Sequence, residues 1–164
     1  MEALKRLPKN KKIIIVGHSR GGALSALGKK KFLKFFKKLS FVKTAALLLS
    51  MQGYANRVEL MTFGKPRIGN KEFAQFLNKI VKIKWRVVNK KDLIPRLPPT
   101  FGLKYHHSTR EIWFPKNHQQ YMICSSSDGE DRKCSHSILI PNGIDDHVQY
   151  LGIKIRDGVK FGCE

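Results

Sequence analysis

The feature that most constrains the fold is a run of four β-branched residues that ends in a glycine-rich turn. Residues 13–16 read Ile-Ile-Ile-Val, and residues 17–22 read Gly-His-Ser-Arg-Gly-Gly. A continuous β-branched run is typical of a strand buried on both faces of a parallel sheet. Small apolar residues over 23–27 then predict a helix directly after the turn. A strand, a tight turn and a helix in this order predict an α/β fold.

The rest of the chain continues this alternation. Further strands are predicted at about 57–63, 84–89 and 108–114, and further helices at 2–7 and 44–51. One more helix is predicted after Asn70, which would cap it, because the apolar side chains that follow recur at helical spacing: Phe73, Phe76, Leu77 and Ile80. The pattern predicts a mostly parallel sheet flanked by helices, and 164 residues suffice for one such domain.

The composition excludes two classes of chain. Lysine and arginine number 32 against 12 acidic residues, which gives a net charge of +20. A hydrophobic content of 41% with ten phenylalanines excludes a disordered basic tail, because such tails lack the apolar residues needed for a core. The apolar run at 45–51 is far shorter than the roughly 20 residues that span a bilayer. The first eight residues do not resemble a secretory signal. We therefore expect a globular domain without a transmembrane segment.

Much of the positive charge lies in residues 28–43, which include seven lysines and no acidic residue. Without this segment, residues 21–27 would continue into 44–50 as one helix of small residues and leucines. We therefore interpret 28–43 as a basic insertion, either a genuine one or the translation of a retained intron. Its lysines and phenylalanines also fit weak contact with an anionic membrane surface.

The three cysteines are Cys124, Cys134 and Cys163. Their spacing, together with six scattered histidines, does not match a metal-binding cluster. Cys124 and Cys134 flank a polar, turn-prone segment that a disulfide could close, and this would indicate an oxidising compartment. Two reduced thiols in a loop fit the same spacing equally well.

The turn at 17–21 has the pattern Gly-x-Ser-x-Gly, which is typical of a nucleophilic serine. Its two glycines allow a strained turn that exposes the Ser19 hydroxyl at the positive end of the following helix. The alternative is a glycine-rich turn that binds phosphate. In folds of this kind an acid and then a histidine follow the serine. Asp92 fits the acid, because it follows the strand at 84–89 and precedes a proline-rich turn.

The position of the histidine is less constrained by spacing. The histidines that follow Asp92 are His106, His107, His118, His136 and His147. We favour His147, since it lies near the end of the domain, where the returning chain can reach the ends of the strands. The other four stay open as candidates on spacing alone.

Four segments resemble consecutive blocks of the class 3 lipases, a family of fungal-lipase-like α/β-hydrolases. They are residues 14–24, 62–70, 86–99 and 146–150, in the family's order. The resemblance implies an α/β-hydrolase fold with Ser19 as nucleophile, Asp92 as triad acid and His147 as general base. It also implies a disulfide between Cys124 and Cys134.

The resemblance further implies an activity, which is hydrolysis of carboxylic ester bonds in lipids through an acyl-enzyme. The substrate would be a lipid ester at a lipid–water interface, with no metal or cofactor, and the protein would be secreted or lumenal. Arg20 stands where the family usually has leucine. Its backbone N–H is expected to serve the oxyanion hole.

The resemblance begins at the helix before the nucleophile strand, so we expect the family's amino-terminal strands and lid to be lacking. The strand at 13–16 would then have an unpaired edge and an uncovered apolar flank. Two other interpretations stay open: an inactive lipase remnant, and a basic module that binds anionic surfaces through charge alone. No pattern of a nucleic-acid-binding fold is present, so we expect no specific nucleic acid partner.

Overall fold

A computed structural model describes residues 8, 10–21, 45–141 and 143–155 of the chain. Its centre is a five-stranded sheet formed by β1 (Ile13–His18), β2 (Val58–Phe63), β4 (Ile83–Asn89), β6 (Glu111–Phe114) and β7 (Met122–Ile123), in that spatial order. The first four strands are parallel, and β7 is antiparallel to β6. The predicted mostly parallel α/β sheet is confirmed.

Shorter elements surround this sheet. In the part of the chain that the structure describes, helical residues 19–21 are followed by the helices α1 (Ala45–Leu49), α2 (Lys71–Ile80) and α3 (Ile144–His147). An irregular helical turn, Ser50–Tyr54, follows α1, and 3-10 turns lie at Ile94–Arg96 and Ser135–Ser137. Two small antiparallel ladders pair β3 (Gly69–Asn70) with β5 (Tyr105–His106), and β8 (Gln149–Tyr150) with β9 (Ile153–Lys154). None of the helices in the described ranges is long and apolar enough to cross a bilayer.

The core lies on both faces of the sheet because strand side chains alternate in direction. On one face, α1, β1, β2 and α2 enclose a cluster that includes Leu47, Val58, Phe73 and Leu77. The prediction that Asn70 caps α2 is confirmed, since Asn70 Oδ1 accepts a hydrogen bond from Phe73 N at 3.0 Å. Helix α2 is thereby fixed at its start and held by its apolar side chains against the sheet.

Two strands differ from what their residue types predict. In β1, Ile14 and Val16 are 65% and 61% exposed, so the β-branched run is not buried on both faces, and the expected uncovered apolar flank is present among the described residues. Strand β1 is at the edge of the sheet, and no other described strand pairs with its free side. The strand predicted at 108–114 begins only at Glu111, because the N–H of Thr109 binds the side chain of Asn78 in α2 instead of a neighbouring strand.

Several expectations concern residues outside the described ranges. They are the helices at 2–7 and 23–27, the basic insertion at 28–43 and Cys163. The helix predicted at 44–51 is found over Ala45–Leu49 and gives way to the irregular turn, in which Gly53 has a φ of +93°.

Candidate active site

Ser19 follows directly after β1, at the point where the chain turns from strand into helical residues 19–21. Its φ is +55°, in the left-handed region that residues with a side chain rarely adopt. This strained turn holds the half-buried side chain beyond the carboxyl end of the strand. The Oγ of Ser19 lies 2.8 Å from Nε2 of His147.

Asp92 lies in the loop that follows β4, and its side chain is almost completely buried, with 2% of the residue exposed. Its Oδ1 accepts a hydrogen bond from the N–H of Ile94 at 2.8 Å, which fixes the carboxylate relative to its own loop. A parallel bridge pairs Asp92 with Gly143, next to α3. The acid is therefore presented to the segment that carries His147.

His147 is the last residue of α3, and it connects the other two groups. Its Nδ1 lies 2.9 Å and 3.1 Å from the two carboxylate oxygens of Asp92. A carboxylate only accepts hydrogen bonds, so Nδ1 carries the proton and Nε2 accepts from the Ser19 hydroxyl. The structure thus brings together Ser19, Asp92 and His147, the three residues selected from the sequence.

The other histidine candidates have different partners. His106 lies 3.0 Å from the carboxylate of Asp128, and His107 binds the carbonyl of Pro95 at 2.7 Å. His136 lies 3.1 Å from the carboxylate of Glu130. The exposed side chain of His118 is next to Gly152, beyond β8. None of these contacts involves Ser19 or Asp92.

Tyr150 is a site residue that sequence reasoning missed. Its hydroxyl donates to Asp92 Oδ2 at 2.5 Å and accepts from the N–H of Asn89 at 3.4 Å. Burial, followed by the neighbouring carboxylate of Asp92, raises the pKa of Tyr150 well above its usual value. Tyr150 therefore stays a hydrogen-bond donor to the acid. The one signal for Tyr150 in the sequence is its position three residues after His147, in the segment 146–150 that resembles the family.

Gly64 is a second residue that was missed. Strand β2 ends beside β1, with His18 opposite Phe63, so Gly64 lies next to Ser19 in the sheet register. Its φ is +57°, and a Cβ at this position would lie 2.9 Å from Asp92 Oδ2 and from two ring atoms of His147. The site therefore requires glycine here for its conformation and for its lack of a side chain.

A buried ion pair holds the loop that follows Asp92. Arg67 makes two hydrogen bonds to the carboxylate of Glu130, at 2.8 Å and 2.7 Å, and it also donates to the carbonyls of Arg96 and Pro98. Burial acts to raise the pKa of Glu130, but hydrogen bonds from Arg67 and His136 outweigh it and hold this pKa below its ordinary value. The pair therefore stays ionised and ties the proline-rich turn to the segment at 124–134.

That segment is closed by a disulfide between Cys124 and Cys134, with their Cα atoms 6.0 Å apart. The disulfide packs against Val88 and Trp113 in the sheet. Glu111 lies close enough to both sulfurs to suggest a metal-ligand triplet. A disulfide offers no thiolate, however, so these residues do not form a metal site.

Lys65 is fully buried beside this ion pair, and its Nζ donates to the carbonyl of Pro66 at 3.1 Å. Burial, with a further effect of the nearby Arg86 charge, lowers the pKa of Lys65 to about 7. Burial likewise lowers the pKa of His107 well below its usual value, and Arg86 adds to the effect. Burial and the nearby arginine charges therefore both disfavour the protonated forms of Lys65 and His107.

Comparison of the sequence with known proteins identifies lipases. Residues 1–102 match the family Lipase (class 3). A lipase of Caenorhabditis elegans is 29% identical over 187 aligned residues, which cover 95% of this chain and 48% of that protein. Secreted mono- and diacylglycerol lipase 1 of Fusarium solani is 34% identical over 103 residues, which cover 62% of this chain and 25% of that protein.

Solved structures agree with the sequence matches. A triacylglycerol lipase whose catalytic centre is formed by a serine protease triad superposes with a TM-score of 0.70 and 29% identity. The match covers 93% of this chain and 52% of that one. The chain thus spans about half, or less, of the length of these relatives. Because the family match extends over more than half of the sequence, the chain belongs to the class 3 lipase family.

Proposed function

We propose that this protein hydrolyses carboxylic ester bonds in lipids by serine catalysis. The observation that carries the proposal is the continuous series of hydrogen bonds from Ser19 through His147 to Asp92. A hydroxyl, an imidazole and a carboxylate in this order activate a serine for acyl transfer. Membership of the class 3 lipase family and the likeness to a triacylglycerol lipase with such a triad support the same chemistry.

In the first half of the reaction, Ser19 Oγ attacks the carbonyl carbon of the ester while its proton moves to Nε2 of His147. Asp92, 2.9 Å from Nδ1, stabilises the positive charge that develops on the imidazole. The backbone N–H of Arg20 donates to the carbonyl oxygen as it becomes an oxyanion. The carbon–oxygen bond to the alcohol then breaks, and His147 gives its proton to the departing alcohol.

The second half regenerates the serine. A water molecule attacks the acyl group on Ser19, and His147 Nε2 accepts the proton of that water. The bond between Ser19 Oγ and the acyl carbon breaks, the serine regains its proton from His147, and a fatty acid leaves. Tyr150 takes no part in proton transfer. Its hydrogen bond to Asp92 keeps the carboxylate oriented towards His147 throughout both halves.

Lipid esters are the proposed substrate class, because apolar side chains are exposed on the segments that carry the acid and the histidine. Leu97 is 42% exposed in the Asp92 loop, and Ile144 is 65% exposed at the start of α3. Leu139 and Ile140, in the segment that leads to α3, are 93% and 78% exposed. Such side chains suit an acyl chain or a lipid surface better than a polar substrate.

We also propose a secreted or lumenal location. The Fusarium relative is named as a secreted mono- and diacylglycerol lipase, which supports an extracellular site of action. The disulfide between Cys124 and Cys134 supports it independently, since disulfides persist mainly in oxidising compartments.

Hydrolysis of a tributyrin emulsion by the purified chain tests the function. We expect release of butyric acid by the wild type and none above background by Ser19→Ala. Ser126→Ala is the matched control, because Ser126 is an exposed serine in the disulfide-closed segment. Hydrolysis that survives Ser19→Ala, or a wild type without activity, would refute the proposal.

A further inference from the structure

The side chain of His18 directly contacts the residue that the proposed function assigns as general base. Its Nε2 lies 2.8 Å from the backbone carbonyl oxygen of His147. A carbonyl only accepts hydrogen bonds, so Nε2 of His18 carries the proton and donates it. The His18 ring also packs on the imidazole of His147, with centroids 4.5 Å apart and planes tilted by 35°.

We propose that His18 is a positioning residue that fixes His147 relative to the nucleophile, an inference that rests on the proposed function. His18 and Ser19 are neighbours in sequence, whereas Ser19 and His147 are separated by 128 residues. The nucleophile turn therefore contacts His147 at two points, through Ser19 Oγ at Nε2 and through His18 at the carbonyl. Two contacts from one rigid turn define both the distance and the orientation of the imidazole.

The other contacts that position His147 run through neighbouring strands. Without His18, the position of His147 relative to Ser19 depends on β2, where Gly64 lies against the imidazole, and on β4, through the Asp92 loop and Asn89, which binds the carbonyls of Asp146 and Gln149. Small errors accumulate along such a path. A misplacement of about 1 Å between reacting groups can reduce the rate by about 100-fold.

The charge state of His18 agrees with this role. Burial lowers its pKa, and the nearby His147 lowers it further, whereas the hydrogen bond to the His147 carbonyl and the charge of Asp92 act in the opposite direction. Tyr150 is another ring neighbour of His18, and it packs edge-on with centroids 5.6 Å apart. A neutral His18 donates to the carbonyl without placing a second positive charge beside the imidazolium that forms during catalysis.

Two substitutions of similar polarity separate positioning from simple packing. In His18→Gln the amide nitrogen reaches as far as imidazole Nε2, whereas in His18→Asn it is one methylene shorter and cannot reach the carbonyl. His118→Gln is the control, since His118 is exposed. The assay measures kcat and KM on a soluble nitrophenyl ester, and circular dichroism checks that each variant is folded.

We expect His18→Asn to lower kcat by about 10-fold to 100-fold with little change in KM, and His18→Gln to recover most of the loss. Equal kcat values for the Asn and Gln variants, or a wild-type kcat in His18→Asn, would overturn the role of His18 while leaving the proposed function intact. If His18→Asn does not fold, the test depends on His18→Gln alone. A kcat for this variant that is more than about 10-fold below the wild-type value then refutes the proposal. An inactive wild type would overturn the proposed function and this inference together.

Discussion

Replacing Gly64 by alanine tests whether the site depends on close contact between β2 and the proposed catalytic groups Asp92 and His147. The added Cβ would lie 2.9 Å from Asp92 Oδ2 and the His147 ring, whereas ordinary contacts begin at 3.4 Å. The carboxylate and imidazole must therefore move by about 0.5 Å, since the backbone of Gly64 is fixed by a hydrogen bond from its N–H to the Val87 carbonyl. If 1 Å costs about 100-fold in rate, this shift should cost about tenfold.

The control is Gly102→Ala, because Gly102 has a φ of +73° and a Cβ added there would have no atom within 4 Å. Both substitutions place a side chain in the left-handed region and should each destabilise the fold by about 1–2 kcal/mol. Only Gly64→Ala should slow the reaction of Ser19 with a fluorophosphonate probe. Equal rates for the two variants would refute the argument that Gly64 is required by the catalytic groups.

Three further substitutions test the surroundings of the site. Glu130→Gln leaves the buried Arg67 without its charged partner and should lower the free energy of unfolding by about 3–5 kcal/mol in denaturant titrations. Glu59→Gln, whose partner Lys12 is exposed to solvent, should change it by less than about 1 kcal/mol, and equal losses would contradict this account of the buried pair. Tyr150→Phe removes a hydrogen bond to a buried carboxylate and should cost about 1.5–3 kcal/mol by the same measurement, and an unchanged stability would show that the bond contributes nothing. The pKa of Lys65 is about 7 in the fold and near 10.5 ordinarily, so the unfolded chain binds more protons between these values and stability should rise with pH from 7 to 10.5. Lys65→Met removes this titrating group, so the variant should be more stable than the wild type near pH 7. This difference in the free energy of unfolding should shrink as the pH rises to 10.5, and a constant difference would refute the prediction.

The predictions from sequence that succeed depend on short-range patterns. Asn70 is identifiable as a helix cap because the apolar spacing begins directly after it, and capping is a contact within one turn. Ser19 is a candidate nucleophile because its glycine-rich turn directly follows a strand, and its role, like those of Asp92 and His147, stays a prediction. Asp92 and His147 require the order of groups in a known family, since no spacing rule joins residues 55 positions apart.

The residues that were missed act through contacts between distant segments. Tyr150 reaches Asp92 across 58 positions, and Gly64 matters only because β2 lies beside β1 in the sheet. Their residue type alone predicts that Ile14 and Val16 are buried, whereas the family resemblance predicts an uncovered flank, and the exposed side chains agree with the latter. Burial of a strand depends on what covers it, and a β-branched run carries no information about its neighbours.

The most direct test of the central claim is the site of covalent labelling by a fluorophosphonate. The intact chain is incubated with the probe, digested and mapped by mass spectrometry, alongside Ser19→Ala and His147→Ala. We expect a single adduct on Ser19 in the wild type and no adduct in Ser19→Ala, which lacks the hydroxyl. We also expect none in His147→Ala, because the unassisted hydroxyl stays protonated. An adduct on another serine, or labelling of Ser19 that persists in His147→Ala, would contradict the assignment of Ser19, His147 and Asp92 as the catalytic groups.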